Sequence, residues 1–385
     1  MSILGTRVLR VEDPRFLTTG GVYTEDVVDE RLAGSCHLTF VRSPIAHAKI
    51  AAIDVSAALE SAGVVAVYTG ADLASLPARK GFPEINQEMA QHPLAIDTVR
   101  FVGEPVAAVL TQEPYQGEDA AELVSVDYDP LPAVVGYSAA LADETLLFPA
   151  AGTNVAATFG DRDEASADLF ADCEVVVTAT IENQRVAPAP MESRSAAAVW
   201  EDGRLTAWIP NQGAQGTRGG LARQLHVAKE KVRVITPDVG GAFGAKFGAD
   251  PEHAVVCWAA RELGRPVRWS ETRFENLVAM THGRAQRQTI TIGGSRDGDV
   301  RAYRIDIVQD CGAYPRIGAI LPSLTILMAP GPYDIPQAEA FAAAVVTNTT
   351  PLGAYRGAGR PEATAALERA MDLFAAEIGA DPEHA

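Results

Sequence analysis

Two glycine-rich turns hold the residue types best suited to chemistry. The first runs Gly240-Gly241-Ala242-Phe243-Gly244-Ala245-Lys246, between a strand pattern and a helix pattern. Its three glycines can take positive φ and let a ligand approach main-chain N–H groups. Phe247 follows Lys246 where a nucleotide loop of the Walker type needs Ser or Thr for magnesium. A simple tight strand-to-helix connection would use the same glycines. The second turn, Gly353-Ala354-Tyr355-Arg356-Gly357-Ala358-Gly359-Arg360, leads directly into Pro361. Arg356 and Arg360 therefore stand at the positive end of a helix, where a cation costs about 0.3–1 kcal/mol. Two arginines there suit an oxygen-rich or anionic ligand. The competing reading pairs each with a local carboxylate: it is the better one for Arg360, and ligand binding is the better one for Arg356.

Other chemistries fit less well. In Gly357-Ala358-Gly359 the third glycine of a dinucleotide fingerprint would fall at Glu362, and the ribose-binding acid near the chain's end. A Gly-x-Ser-x-Gly elbow and a His-Glu-x-x-His helix are both absent. The seven histidines are scattered, and His37, His47, His226 and His253 read as core or surface residues. Cys36, Cys173, Cys257 and Cys311 form no Cys-x-x-Cys pair, so neither an iron–sulfur cluster nor a structural zinc is legible. Single dispersed cysteines read as buried thiols in a reducing cytoplasm.

The elements that must position these turns are strand-rich. Cys36–Val41, Val64–Tyr68 and Pro105–Leu110 are short apolar runs bounded by turn residues, followed by a helical stretch over Tyr115–Leu123 and a strand over Val124–Tyr128. The polar segment from Ala74 to Arg100, with Pro77, Pro83 and Pro93, is expected to be an exposed excursion. Residues 1–135 then form a first domain, 136–167 a linker, and 168–385 a second domain. In the second domain Asp202-Gly203 and Asp297-Gly298 predict hairpins. A strand at Val232–Ile235 precedes the first glycine turn. A helix from Pro251 to about Leu263 follows it, announced by Asp250, Pro251 and Glu252. The apolar run Phe341–Val346 precedes the second turn. The helix after it, Pro361 to Ile378, carries Leu367, Met371, Phe374 and Ile378 on one face. Ala380–Ala385 repeats Ala249–Ala254 residue for residue, as though a further helix began where the sequence stops.

The chain has 385 residues, with 32 Lys+Arg against 50 Asp+Glu and a net charge of −18. That acidity argues against nucleic acid or an anionic membrane as partner. No apolar run approaches the ~18 residues of a membrane-spanning helix.

In order along the chain, Val11-Glu12-Asp13-Pro14-Arg15-Phe16-Leu17, Gly21–Asp26, Arg42–Ile50 and Val102–Ala107 resemble the opening and α/β-hammerhead domain of the molybdenum hydroxylase large subunits. Met191-Glu192-Ser193-Arg194, the Gly240–Lys246 turn and Ala354–Ala363 resemble the first cofactor-binding domain of those xanthine dehydrogenases, aldehyde oxidoreductases and CO-dehydrogenase-like enzymes. The resemblance implies an α+β fold, a hammerhead domain followed by the first lobe of a molybdopterin-binding domain. It implies molybdenum on molybdopterin, in the cytosine dinucleotide form, and hydroxylation of an aldehyde or N-heterocycle carbon with water-derived oxygen. Electrons would pass to Fe-S and FAD partner subunits. Gln212 matches the glutamine that hydrogen-bonds a molybdenum oxo group. Gly240, Gly241, Phe243 and Gly244 match the turn beside the cofactor, and Arg356 and Gly357 match the segment flanking the substrate pocket. Gln212 and Arg356 would thus be the catalytic residues of this stretch, with the metal held by the pterin rather than by protein side chains.

Three departures narrow the reading. Phe247 replaces the glutamate of purine-oxidising members, and Gly357 replaces the copper-binding cysteine of aerobic CO dehydrogenases. The sequence also stops at the boundary of the family's second lobe, which carries the catalytic glutamate and most pterin contacts, so this chain alone is expected to be inactive. The alternatives are a CO-dehydrogenase-like subunit without the copper cysteine and a catalytically incomplete docking or cofactor-handling module. A nicotinamide dehydrogenase built on Gly357-Ala358-Gly359 is the remaining one.

Overall fold

The parallel pairing of strand Cys36–Arg42 with strand Val267–Ser270 joins distant parts of the chain into one seven-stranded sheet. The computed structural model describes residues 4–160 and 169–382. From one edge to the other, that sheet runs Val232–Ile235, Arg204–Trp208, Ser195–Glu201, Val267–Ser270, Cys36–Arg42, Pro105–Thr111 and Val64–Thr69. Pro105–Thr111 is buried at every position, as an apolar strand covered on both faces must be. The Pro251–Leu263 helix packs on this sheet and buries every residue from Pro251 to Ala260.

A five-stranded sheet follows the order Val155–Phe159, Gln337–Val345, Val300–Asp310, Gln286–Gly294, Val175–Asn183. The Arg360–Ile378 helix covers it with Leu367, Ala370, Met371 and Phe374. A small third sheet joins Thr98–Val99, Ala48–Asp54 and Ser125–Pro130. The fold is α+β, as expected. Both hairpins form, and at the first Asp202 (φ 49°) and Gly203 (φ 70°) both take the left-handed backbone of a two-residue turn. Among the described residues no helix is long and apolar enough to cross a membrane.

Three expectations need correction. Residues 74–100 are not an exposed excursion: Leu76, Ile85, Met89, Leu94, Ala95 and Val99 are buried, because apolar side chains of this stretch pack into three of the hydrophobic clusters. The described part of the expected linker, 136–160, contributes the edge strand Val155–Phe159. It also buries Leu147 and Phe148, and Asn154 donates to Thr145 O at 2.8 Å. The helix expected over Tyr115–Leu123 is shorter, Gly117–Glu122, preceded by a 3-10 turn at Pro114–Gln116. The 167/168 boundary and residues 383–385 of the repeated hexapeptide lie outside the described residues.

The N-terminal arm is tied down by one bidentate pair, Arg15 to Asp238 at 2.6 and 2.7 Å, with Val22 N–H donating to the same carboxylate at 2.8 Å. These hydrogen bonds lower Asp238 to about 2. A depressed folded-state pKa gives stability that is present above the unfolded value of ~3.9 and lost as pH falls towards 2. The arm should therefore become protease-sensitive between about pH 4 and pH 2, and Asp238→Asn should free it at neutral pH. Limited proteolysis at Arg7, Arg10 and Arg15 reads both, and an arm equally protected in the variant contradicts the assignment.

Candidate functional site

The two glycine turns meet. Arg356 N–H donates to Phe243 O at 2.9 Å, and a Cβ added at Gly244 would lie 2.4 Å from Ala354 O. Only glycine at φ 104° allows this approach. Gln212 locks the first turn from a third segment: its N–H donates to Lys246 O at 3.0 Å and its Oε1 accepts from Gly244 N–H at 2.8 Å. Gln212, Phe243, Gly244, Arg356 and Gly357 thereby line one cleft of 340 Å³. Phe243 itself has φ 54°, a conformation that costs a non-glycine residue about 1–3 kcal/mol and clusters at functional sites.

Gly240 and Gly241 lie apart from that cleft. Gly240 N–H donates to the Glu192 carboxylate at 2.8 Å, and Lys246 Nζ pairs with the same group at 2.8 Å. Burial pushes the Lys246 ammonium down and Glu192 opposes that shift. These groups anchor the back of the turn, while Phe243 and Gly244 face the cleft. Arg360 donates to Gly357 O at 3.0 Å and not, as expected, to a carboxylate, so it closes its own turn. Arg356 is exposed, and its guanidinium has no hydrogen-bond or ion-pair partner among the described residues. The cysteines are all free thiols, three buried and Cys173 half-buried.

Arg284 was invisible in the sequence. Its guanidinium donates to Tyr355 O at 3.1 Å and Arg356 O at 2.7 Å, and to the buried Glu362 at 3.2 Å. It also stacks over the Tyr355 ring, 4.9 Å away. Arg284 and Ala285 both hold left-handed φ (65° and 60°), fixed by Gln309 Nε2 donating to their carbonyls. No spacing links residue 284 to 355; only the fold does. Arg284→Lys keeps the charge but cannot fork to three acceptors. It should cost about 1.5–3 kcal/mol in urea unfolding. An unchanged midpoint would show that the second turn is held by other contacts.

The cleft offers fixed donors to a group with oxygen atoms. With Oε1 engaged by Gly244, Gln212 has its Nε2 amide left to donate, and Arg356 adds an uncommitted guanidinium. Glycines at 244 and 357 keep the two turns tight, since an added Cβ would lie 2.4 Å from Ala354 O at 244 and 2.5 Å from Pro361 Cγ at 357. These features fit the oxo-bearing end of a metal–pterin group.

Comparison with known proteins points the same way. The sequence matches the family described as "Molybdopterin cofactor-binding domain" over residues 147–385. It matches "Aldehyde oxidase and xanthine dehydrogenase, a/b hammerhead domain" over residues 18–132. It is 37% identical to the 6-hydroxypseudooxynicotine dehydrogenase complex subunit gamma of Paenarthrobacter nicotinovorans, covering 98% of this chain and 48% of that protein. The nicotine 6-hydroxylase large subunit of the same organism is also 37% identical, covering 99% and 47%. The crystal structure of quinoline 2-oxidoreductase from Pseudomonas putida 86 superposes with a TM-score of 0.92 at 37% identity, over 99% of this chain and 49% of that one. The chain spans about half the length of the curated relatives it matches.

Proposed function

Because this chain belongs to the molybdopterin-binding large-subunit family of the aldehyde oxidase and xanthine dehydrogenase enzymes, we propose that it forms the hammerhead domain and first cofactor lobe of a molybdenum hydroxylase. Its substrate would be an N-heterocycle or an aldehyde. The observation that carries this reading is the Gln212–Gly244 lock, which fixes one amide oxygen internally and leaves the amide N–H as a preset donor beside Arg356. A molybdenum–pterin group, in the cytosine dinucleotide form, would supply two-electron oxidation with water-derived oxygen. Gln212 Nε2 would hold an oxygen of that group, Phe243 would flank it as an apolar wall, and Arg356 would bind a polar edge of the substrate. The 37%-identical relatives named above, a nicotine 6-hydroxylase and a quinoline 2-oxidoreductase, favour the N-heterocycle. Phe247 and Gly357 weigh against xanthine and CO respectively.

The length of the relatives supports a second lobe that completes the pterin contacts and supplies a glutamate base. Fe-S and FAD partner subunits would take the electrons, and buried free thiols suit a cytoplasmic complex. The test is elemental analysis of the complete protein isolated from its host, with the mass of its polypeptide. About one molybdenum per second-lobe-containing protein is expected; none would overturn the reading. Arg356→Ala should leave stability within ~0.5 kcal/mol, since the side chain is exposed. It should lower kcat/KM by at least tenfold, and an unchanged value would make Arg356 a surface residue.

A further inference from the structure

A second, larger cleft of 840 Å³ includes in its wall Gly213 and Phe247, which directly follow the hydrogen-bonded Gln212 and Lys246 in the chain. Its charge is unlike that of the rest of the molecule. Arg79, Lys80, Arg223, His226 and Arg316 line it and, among the described residues, no Asp or Glu does, in a chain with a net charge of −18.

The excess is local and only partly compensated. Asp250 is the carboxylate that Arg79 and Arg316 share, at 3.8 and 3.3 Å, and it also pairs with Arg194 at 3.2 Å. Arg79 Nη1 is buried without a hydrogen-bond partner. Burial and the neighbouring Arg316 charge push Arg79 down to about 10. Lys80 and Arg223 have no carboxylate partner among the described residues. The Ala214–Gln224 helix adds the positive end of its dipole, because its N-cap is Gly213 with no side chain to cap it. A Cβ at Gly213 or Gly216 would meet nothing within 4 Å, so these glycines widen the cleft rather than pack it. Phe82, Met89, Phe247, Tyr314 and Ile317 supply apolar walls suited to a ring.

We propose that this cleft selects a substrate bearing a carboxylate on an aromatic ring, the anion held by Arg79, Lys80 and Arg223 and the ring by Phe82 and Phe247. Its role as a substrate site rests on the hydroxylase reading; its preference for an aromatic anion does not. The same field disfavours a ring that carries an ammonium.

The test uses the complete protein from its host and three probes of one shape: benzoate, benzamide and benzylammonium. Calorimetry at about 0.01 M salt, where the Debye length is ~30 Å, keeps the field unscreened. Benzoate should bind at least tenfold more tightly than either neutral or cationic probe, and the preference should collapse at about 1 M salt. Lys80→Ala with Arg223→Ala, both exposed, should cut it at least fivefold. Gly216→Glu, which places a carboxylate in open space on the cleft wall, should abolish it. Benzamide or benzylammonium binding as well as benzoate overturns the proposal. So does a benzoate preference that survives both variants, because the anion would then be held elsewhere. Molybdenum analysis of the same sample separates the two readings. Metal without benzoate preference sinks the cleft alone, and benzoate preference without metal sinks the hydroxylase reading alone.

Discussion

Replacing Arg194 with Met should lower the free energy of unfolding by about 3–5 kcal/mol, the cost of leaving buried carboxylates without their cation. The Arg194 side chain is 2% exposed. It contacts Glu271 through a short ion pair, Glu252 at 2.9 Å and Asp250 at 3.2 Å. Burial opposes its charge, yet Glu252 and Glu271 hold the guanidinium pKa well above its usual value. Glu252 shows the reciprocal effect: burial pushes it up, but Arg194 and Arg42 hold it well below the usual carboxylate range. A depressed carboxyl contributes stability above the unfolded pKa of ~4.3 and loses it as pH falls through the folded value. In the variant Glu252 keeps the burial penalty and loses its main partner, so it protonates at higher pH. The gap between native and variant should therefore narrow from pH 7 to pH 5 in urea unfolding. Glu252→Gln added to Arg194→Met should recover part of the loss, since it removes one of the stranded charges. A loss below ~1 kcal/mol at pH 7 would show that water reaches the cluster.

This cluster also joins two parts of the molecule. Arg42, on a strand of the hammerhead segment, pairs with Glu252 at 3.1 Å and Glu275 at 2.7 Å, both in the cofactor lobe. Arg194 lies two residues from Glu192, which anchors the back of the first glycine turn. Ion pairs thus set the sheet, the Pro251–Leu263 helix and the turn in one register. The same acids leave Asp250 spread over several arginines, which is why the 840 Å³ cleft next to it stays cationic.

What the sequence made legible was local. Asp202-Gly203 announces its hairpin because both residues must take positive φ, and Asp250-Pro251 announces a helix start for reasons confined to one turn. The glycine turns were readable as turns of positive φ on the same ground. Non-local pairing was not readable. Nothing in Cys36–Arg42 specifies Val267–Ser270 as its parallel neighbour, and nothing near Arg284 points to the Tyr355 carbonyl. Residues 74–100 and 136–160 were misjudged for a related reason. Their apolar side chains are spaced irregularly, so they show neither strand nor helix period while still filling the core. Arg360 was misassigned because a backbone carbonyl three residues away satisfies it as well as a carboxylate would.

Gly244→Ala should separate fold from function most sharply. The new Cβ would lie 2.4 Å from Ala354 O and 3.2 Å from Ala354 Cβ, contacts that only a shift of one turn can relieve. The backbone there is at φ 104°, so strain adds to the clash. Relief by moving the Gly240–Lys246 turn stretches the Gln212 Oε1 to Gly244 N–H bond; relief by moving the Arg356 turn breaks Arg356 N–H to Phe243 O. Either way the amide donor and the guanidinium lose their relative placement. A displacement of about 1 Å at such a constellation costs roughly 100-fold in turnover. Stability should fall by only about 1–3 kcal/mol, since the cleft is open and the turn is not core. Gly136→Ala is the matched control: it has φ 90° with nothing within 4 Å of an added Cβ and takes no part in either cleft, so it carries backbone strain alone. The complete enzyme with Gly136→Ala should keep its turnover while losing comparable stability. If Gly244→Ala also keeps its turnover, the contact between the two turns is architectural, and the Gln212–Arg356 cleft is not where the chemistry is set.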